Sequence, residues 1–410
     1  MSFKKFYYLK EGGNVRAINR ETGEIVASAE KMDLRKIDRQ YIIDRMLNTF
    51  YALNKMFKSK HDIPIWVDES ILKSGQAFNG SSEAFFNQKI SDEQFIKHKP
   101  SVGDVDLTIP HEHLPELFEM LKGLEGQDIV KGVKYIGQGK QNLGHGHQIN
   151  GIFQITQGKE TVMSQVDFEG VDYDTDRTNP TPWAKFSHNS HWDDIVEGFK
   201  GVHHKYMLMN LTRSLSTRED IVVLTPKSPT EPPEKVKVKR VKGKEIPTSL
   251  AFSVDRGIRS KFVPAYNSAG EQIEVEGKLA FKELPTADSK YEKNLEGVFE
   301  LLFNVKPTPA ELEKLNSFIG LLQLTKQYAQ PQQIKLCFKH LMEKSLFGPG
   351  AQGLERNNPE LDFAIKDKMV SEMTRVFPML KKDYVAYQPM IEEYYKTYKM
   401  VGEQWSLEII

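Results

Sequence analysis

The spacing of hydrophobic positions changes along the chain, and these changes predict its elements. Apolar residues at 15–18 and 24–28 flank the turn sequence Glu21-Thr22-Gly23, which predicts a β-hairpin. Residues 34–60 instead carry apolar side chains three and four positions apart, which predicts a long helix. The first sixty residues are therefore expected to form a hairpin followed by a helix.

Between residues 60 and 225, short alternating stretches are interleaved with stretches of helical period. The predicted strands are 76–78, 104–109, 133–136, 149–155 and 161–168, and the predicted helices are 82–90, 111–122 and 191–214. A break rich in proline and lysine follows at 226–248, where the valines alternate with basic residues. This break is either an edge strand or a mobile basic linker. Residues 290–400 return to a helical period.

The pattern as a whole predicts an α+β protein of several domains. We expect an N-terminal hairpin region at 1–33, a mixed domain at 34–225, a basic linker with strands at 226–289 and a helical domain at 290–410.

Composition narrows the class of protein. Lys and Arg together number 56, as do Asp and Glu, so the chain lacks the strongly basic balance of a general nucleic-acid binder. Its one cysteine, Cys337, excludes an internal disulfide and lies in an apolar helical pattern, where a buried thiol is expected. Neither a signal peptide nor an apolar run of membrane-spanning length is recognised. We therefore expect a cytoplasmic protein that does not bind a membrane.

Two acidic residues carry the clearest chemical signal. In Gly103-Asp104-Val105-Asp106-Leu107-Thr108-Ile109, strand alternation puts Asp104 and Asp106 on one face and the aliphatic residues on the other. Two carboxylates side by side repel each other, and a divalent cation between them relieves that repulsion. Magnesium binds carboxylates together with substrate phosphates, so the pair predicts Mg²⁺ or Mn²⁺ and a nucleoside triphosphate.

Two flanking segments fit the same site. Upstream, Phe78-Asn79-Gly80-Ser81-Ser82 is a turn opening a helix, where backbone N–H groups and hydroxyls suit phosphate oxygens. Downstream, the strand Met163-Ser164-Gln165-Val166-Asp167-Phe168 supplies a third acid. Glu169, Asp172 and Asp174 lie close by, but Asp167 alone lies within a convincing strand. Three such acids would complete a two-metal site.

In this order, these motifs resemble those of the DNA polymerase β-like nucleotidyltransferase superfamily. The Gly103–Asp106 segment is most similar to the X-family DNA polymerases, and the resemblance covers residues 75–170, extending toward 215. It implies a palm with a mixed sheet within residues 34–225. It also implies that Gly80 and Ser81 bind the triphosphate, Asp104 and Asp106 both metals, and Asp167 the catalytic metal. One departure is the 21-residue stretch between Ser82 and Asp104, which contains Lys89, Lys97, His98 and Lys99 and which we interpret as an insertion after the first helix.

Further candidates for nucleotide contacts are basic or hydroxylated. Ser82 belongs to the turn, and Lys185, Ser187 and Lys200 lie where X-family polymerases hold the nucleotide sugar and base. For these last three, a solvated basic helix face is an equal alternative. The glycine-rich segment 137–147 is expected to be a hairpin loop whose Lys140 reaches a substrate phosphate.

The acceptor is left open. A nucleoside monophosphate could pass to a nucleic-acid 3′ end, to a protein side chain in an AMPylation reaction, or to a small molecule. The basic stretch 235–244 and the tyrosines of 384–398 favour nucleic acid weakly. The alternative is a catalytically inactive binding or scaffold protein of the same fold.

Overall fold

The structure is a computed structural model. It describes residues 16–18, 25–87, 89–127, 130–136, 148–187, 191–215, 222–225, 237–240, 250–254, 256–267, 269–275, 277–283, 290–348, 351 and 359–407. These fall into two compact units. The first comprises the described parts of 1–202, 353–368 and 397–410, and the second those of 203–352 and 369–396.

The elements are numbered in chain order. The strands are β1 Arg16–Ile18, β2 Ile25–Ser28, β3 Met32–Asp33, β4 Ser101–Val102, β5 Asp104–Pro110, β6 Val130–Ile136, β7 Gln148–Gln157, β8 Glu160–Val171, β9 Val222–Thr225, β10 Lys237–Arg240, β11 Leu250–Ser253, β12 Gly257–Ser260, β13 Phe262–Pro264, β14 Glu274–Val275 and β15 Lys278–Glu283. The helices are α1 Arg39–His61, α2 Ser70–Lys73, α3 Gly80–Phe86, α4 Asp92–His98, α5 Leu114–Gly123, α6 Pro182–Ser187, α7 Trp192–Val196, α8 Gly201–Leu215, α9 Leu295–Phe303, α10 Pro309–Leu315, α11 Phe318–Tyr328, α12 Pro331–His340, α13 Pro359–Val376 and α14 Lys381–Leu407. None of the described helices is long and apolar enough to cross a membrane.

A mixed four-stranded sheet forms the centre of the first unit. Its order is β5-β8-β7-β6, with β5 parallel to β8 and the other two pairs antiparallel. The α+β class and the mixed sheet predicted from the sequence are therefore confirmed. Because β8 follows β7 through a tight turn but pairs with the earlier β5, the sheet brings together strands far apart in sequence.

One face of this sheet is covered by helices. The apolar residues of β5, Val105, Leu107 and Ile109, are fully buried in a cluster that includes the inner face of α1. The ring of Phe50 from α1 lies 6.4 Å from that of Phe168 on β8. The predicted long helix is thus present, and it packs on the sheet.

The other face is polar near β5 and apolar farther along. Ile152 of β7 is buried there against Ala27, which lies in β2, and Ala29, which directly follows β2. The Glu30 amide donates to the Met163 carbonyl at 2.7 Å. The N-terminal segment therefore covers the part of this face that carries no acids.

Several element predictions need correction. The helix expected at 191–214 is two helices, α7 and α8, because Gly198 adopts φ 75° and interrupts the helical path. The strand expected at 76–78 is a single bridge from Phe78 to Leu107. At the 226–248 break, residues 237–240 form the edge strand β10, paired with β9, which is one of the two alternatives predicted for this segment.

The second unit joins a small sheet to a set of helices. The sheet order is β10-β9-β15-β13, with β14 also paired to β15. Helices α9 to α12 carry fully buried apolar side chains that include Phe299, Phe318 and Leu321. Cys337 is fully buried, as expected from its helical pattern, and burial raises its pKa to about 12.

Arg39 joins α1 to the segment carrying α3 and α4. Its buried guanidinium donates to the carbonyl oxygens of Ala84, Phe85 and Ile90 and pairs with Asp92 at 2.9 Å. A positively charged group that leaves water is stable only with such a set of acceptors.

We expect Arg39→Met to lower the free energy of unfolding by about 3 kcal/mol, because it leaves buried carbonyl oxygens without donors. Denaturant unfolding measures this. The matched control is Arg35→Met, since Arg35 is exposed and pairs with Asp33 at the surface. Equal stability of the two variants would contradict the structural role given to Arg39.

Candidate active site

The candidate site lies on the polar face of the sheet where β5 and β8 run side by side. In their register, Asp106 is opposite Asp167 and Asp104 is opposite Gln165. Paired residues on adjacent strands share a face, so the two strands present Asp104, Asp106 and Asp167 together. One carboxylate oxygen from each lies within 4.8 Å of the others.

Burial and mutual repulsion dominate the electrostatics of these acids. Burial raises the pKa of Asp106 well above its ordinary value, and the charges of Asp104, Glu169 and Asp167 raise it further. Burial also raises the pKa of Asp104, although the nearby Lys99 opposes this. The cluster is therefore costly to ionise when no cation is bound.

Asp167 is the most enclosed of the three acids, with 6% of its surface exposed. The Gln165 side-chain amide donates to its two oxygens at 2.8 and 2.9 Å, and the Asn150 amide on β7 donates to Oδ1. Burial, followed by the charge of Asp104, raises the pKa of Asp167 to about 8, and the two amides oppose the shift. The amides also fix the orientation of the carboxylate.

The donor set fits a hard divalent cation. Carboxylate oxygens are the ligands that Mg²⁺ and Mn²⁺ prefer, and the cluster offers no thiol or imidazole that would favour a softer metal. A divalent ion would also remove the repulsion that raises the three pKa values.

The turn before α3 is held against β5 beside the acids. The Asn79 amide donates to the Asp106 carbonyl at 3.1 Å, and the Thr108 amide donates to the Ala77 carbonyl at 2.7 Å. The buried Ser82 hydroxyl accepts from the Asp106 amide at 3.0 Å. Ser82 thus contacts the strand. Gly80 has φ 59°, a left-handed conformation that favours glycine.

Lys99 is a neighbour of the acids that sequence reasoning assigned only to an insertion. Its ammonium group donates to the Ser81 hydroxyl. Burial lowers the pKa of Lys99, while the charges of Asp104 and Asp106 raise it. The sequence signal was a lysine close before the acidic strand, but nothing in that spacing showed which way its side chain points.

The other residues predicted to contact the nucleotide differ from one another in their surroundings. The Lys185 ammonium pairs with Glu83 at 2.8 Å and donates to the carbonyls of Gln76 and Phe78. Lys185 therefore stabilises the backbone just before the Gly80-Ser81 turn. Ser187 is buried at the end of α6, and Lys200 is exposed and adds to the positive field at Lys99. Lys140 and its glycine-rich loop lie outside the described residues.

Glu169 extends the acidic face without joining the cluster. It lies opposite Thr108 in the β5–β8 register, and its carboxylate accepts from the Asn79 side-chain amide at 2.7 Å. Its charge raises the pKa values of Asp104, Asp106 and Asp167. Asp174 faces elsewhere, since it accepts hydrogen bonds from Thr178 and Asn179 in its own loop.

Comparisons with protein-family models, with curated proteins and with solved structures each found no match to this chain.

The raised pKa of Asp167 predicts a pH dependence of stability. Its pKa is about 8 in the folded chain and about 4 in an unfolded one. Between these values the folded chain holds a proton that the unfolded chain has released. The unfolding free energy of the metal-free protein should therefore fall as the pH rises from about 4 to about 8. Asp167→Asn should show a shallower slope.

Urea denaturation at several pH values, with chelator present, measures both slopes. Asp176→Asn is the control, because Asp176 is exposed and outside the cluster. It should keep the wild-type slope. A slope for Asp167→Asn equal to that of the wild type would show that Asp167 titrates normally.

Proposed function

We propose that this chain is a metal-dependent nucleotidyltransferase of the polymerase β-like type. It transfers a nucleoside monophosphate from a ribo- or deoxyribonucleoside triphosphate to a hydroxyl acceptor. The observation that carries the proposal is the trio Asp104, Asp106 and Asp167, whose carboxylate oxygens lie within 4.8 Å of one another on parallel strands. The Gly80-Ser81 turn, bonded to the same strand through its neighbours, supports the proposal.

The acids would hold Mg²⁺ or Mn²⁺. When bound, such ions activate the attacking hydroxyl and offset the charge of the triphosphate and the departing pyrophosphate. Asp104 and Asp106 present their carboxylates from one rigid strand. Asp167 presents its carboxylate in the orientation set by Asn150 and Gln165.

The turn would hold the triphosphate. Gly80 lets the backbone approach phosphate oxygens closely, and the Ser81 hydroxyl donates to them. Lys185 keeps the turn in place through the carbonyl of Phe78 and the carboxylate of Glu83. In the transfer, the acceptor oxygen bonds to the α-phosphorus and the bond to the pyrophosphate oxygen breaks.

The test is incubation with α-labelled triphosphates, Mg²⁺ or Mn²⁺, and three acceptor classes: nucleic-acid 3′ ends, proteins and small molecules. We expect the label to be transferred to one acceptor class. With excess chelator, the label should remain on the unreacted triphosphate. Label on protein would select the AMPylation alternative. Intact triphosphate with every acceptor would favour the inactive scaffold.

We predict that Asp104→Asn and Asp106→Asn each lower the transfer rate by on the order of a thousandfold or more, because each removes a charged metal ligand. Melting temperature without metal should hold steady or rise, since each change relieves repulsion between buried acids. Activity assays and thermal melts measure the pair of effects.

Asp176→Asn, which changes an exposed acid outside the cluster, should leave both quantities unchanged. Near-normal transfer by both cluster variants would refute the metal site. A large fall in melting temperature would instead indicate that the acids are structural.

We also predict that a triphosphate at about one hundred times its Kd adds about 2.7 kcal/mol of stability only when Mg²⁺ is present. The reason is that the acids and the turn bind the two partners as one complex. Thermal melts with metal alone, nucleotide alone and both together test this. Equal stabilisation with nucleotide alone would contradict it.

A further inference from the structure

Lys99 lies near both parts of the proposed site, which are the Gly80-Ser81 turn and the acids Asp104 and Asp106. Its ammonium group donates to the hydroxyl of Ser81 on one side. On the other side, burial lowers the pKa of Lys99 and the charges of Asp104 and Asp106 raise it. Burial raises the pKa of Asp104, and the charge of Lys99 lowers it.

The backbone around Lys99 is fixed on both sides. The Lys99 amide donates to the Phe95 carbonyl at 2.7 Å and so closes α4. The next residue, Pro100, accepts from the Leu34 amide at 3.0 Å before the chain enters β4. The backbone at Lys99 is thus held by hydrogen bonds on both sides.

The other cations near the site differ from Lys99 in their contacts. Lys185 is bonded to Glu83 and to carbonyls of the turn. Lys31 and Lys200 are exposed, and their charges lower the pKa of Lys99. Lys99 therefore combines contact with the turn with charge interaction with the acids.

We propose that Lys99 couples metal binding to triphosphate binding. Without nucleotide, its charge lies beside Asp104 and Asp106 and opposes the entry of a free divalent ion. With a metal–triphosphate complex, the same ammonium group binds phosphate oxygens beside Ser81 and ceases to oppose the ion. The inference rests on the proposed function and adds to it a residue that selects the complex over free metal.

The proposal predicts two effects of opposite sign. Removing the charge takes a repulsive neighbour from the metal, so free metal should bind more tightly. It also takes an attractive partner from the phosphates, so the triphosphate should bind less tightly. If Lys99 had only a structural role, its replacement would weaken the binding of both the metal and the triphosphate.

The experiment compares wild type, Lys99→Met, Lys99→Arg and the control Lys97→Met, which changes an exposed lysine of the same helix. Binding of Mn²⁺ alone, and of a non-hydrolysable nucleoside triphosphate and a nucleoside monophosphate with Mg²⁺, is titrated by calorimetry. For Lys99→Met we expect the Kd of Mn²⁺ to fall and that of the triphosphate to rise, each on the order of tenfold, with the monophosphate unchanged. Lys99→Arg keeps the charge and should stay close to wild type.

If wild type binds both ligands and Lys99→Met weakens both, or changes neither, the role given to Lys99 is overturned while the proposed function stands. If wild type binds neither Mn²⁺ nor triphosphate, the proposed function fails and this inference fails with it. Should Lys99→Met not fold, Lys99→Arg decides. Its charge must then keep both affinities near wild type, and a loss of triphosphate affinity overturns the role.

Discussion

The parallel pairing of β5 with β8 is the constraint on which the candidate site depends. Backbone hydrogen bonds along the two strands put Asp106 opposite Asp167, although 60 residues separate them in the chain. The apolar residues that alternate with the acids along β5, Val105 and Leu107, are fully buried on the other face. A slip of one residue would turn these side chains into water and the acids into the core. The cost of that slip keeps three repelling carboxylates together.

Polar and positively charged groups near the three acids partly offset the repulsion between their carboxylates. Asn150 and Gln165 donate hydrogen bonds to Asp167, and Lys99 places a positive charge near Asp104. These contacts offset part of the cost of ionising the cluster, but the pKa values of all three acids remain raised. A divalent ion held by these three carboxylates would supply the missing positive charge.

The turn at Gly80-Ser81 depends on the same strand. Its neighbours Asn79 and Ser82 are bonded to the backbone of Asp106, so the turn cannot move without β5. Arg39 holds the far end of α3 and the start of α4 from the other side. One connected set of contacts therefore positions both the residues proposed to bind phosphate and the proposed metal ligands.

Local patterns in the sequence were enough to predict the elements that form this site. The period of two across Asp104–Ile109 predicted a strand with both acids on one face, and the helical period predicted α1, because burial on one side imposes these periods. Asp167 lies within the predicted strand 161–168, and the structure places its carboxylate beside those of Asp104 and Asp106. Other features depended on which distant segments meet. The pairing of β8 with β5, the burial of Ser82 beneath Asp106, the engagement of Lys185 and the approach of Lys99 to Ser81 were decided only by the tertiary structure. A residue's neighbours along the chain set its period and conformation, whereas the partner of a long side chain is set by segments that only folding brings close.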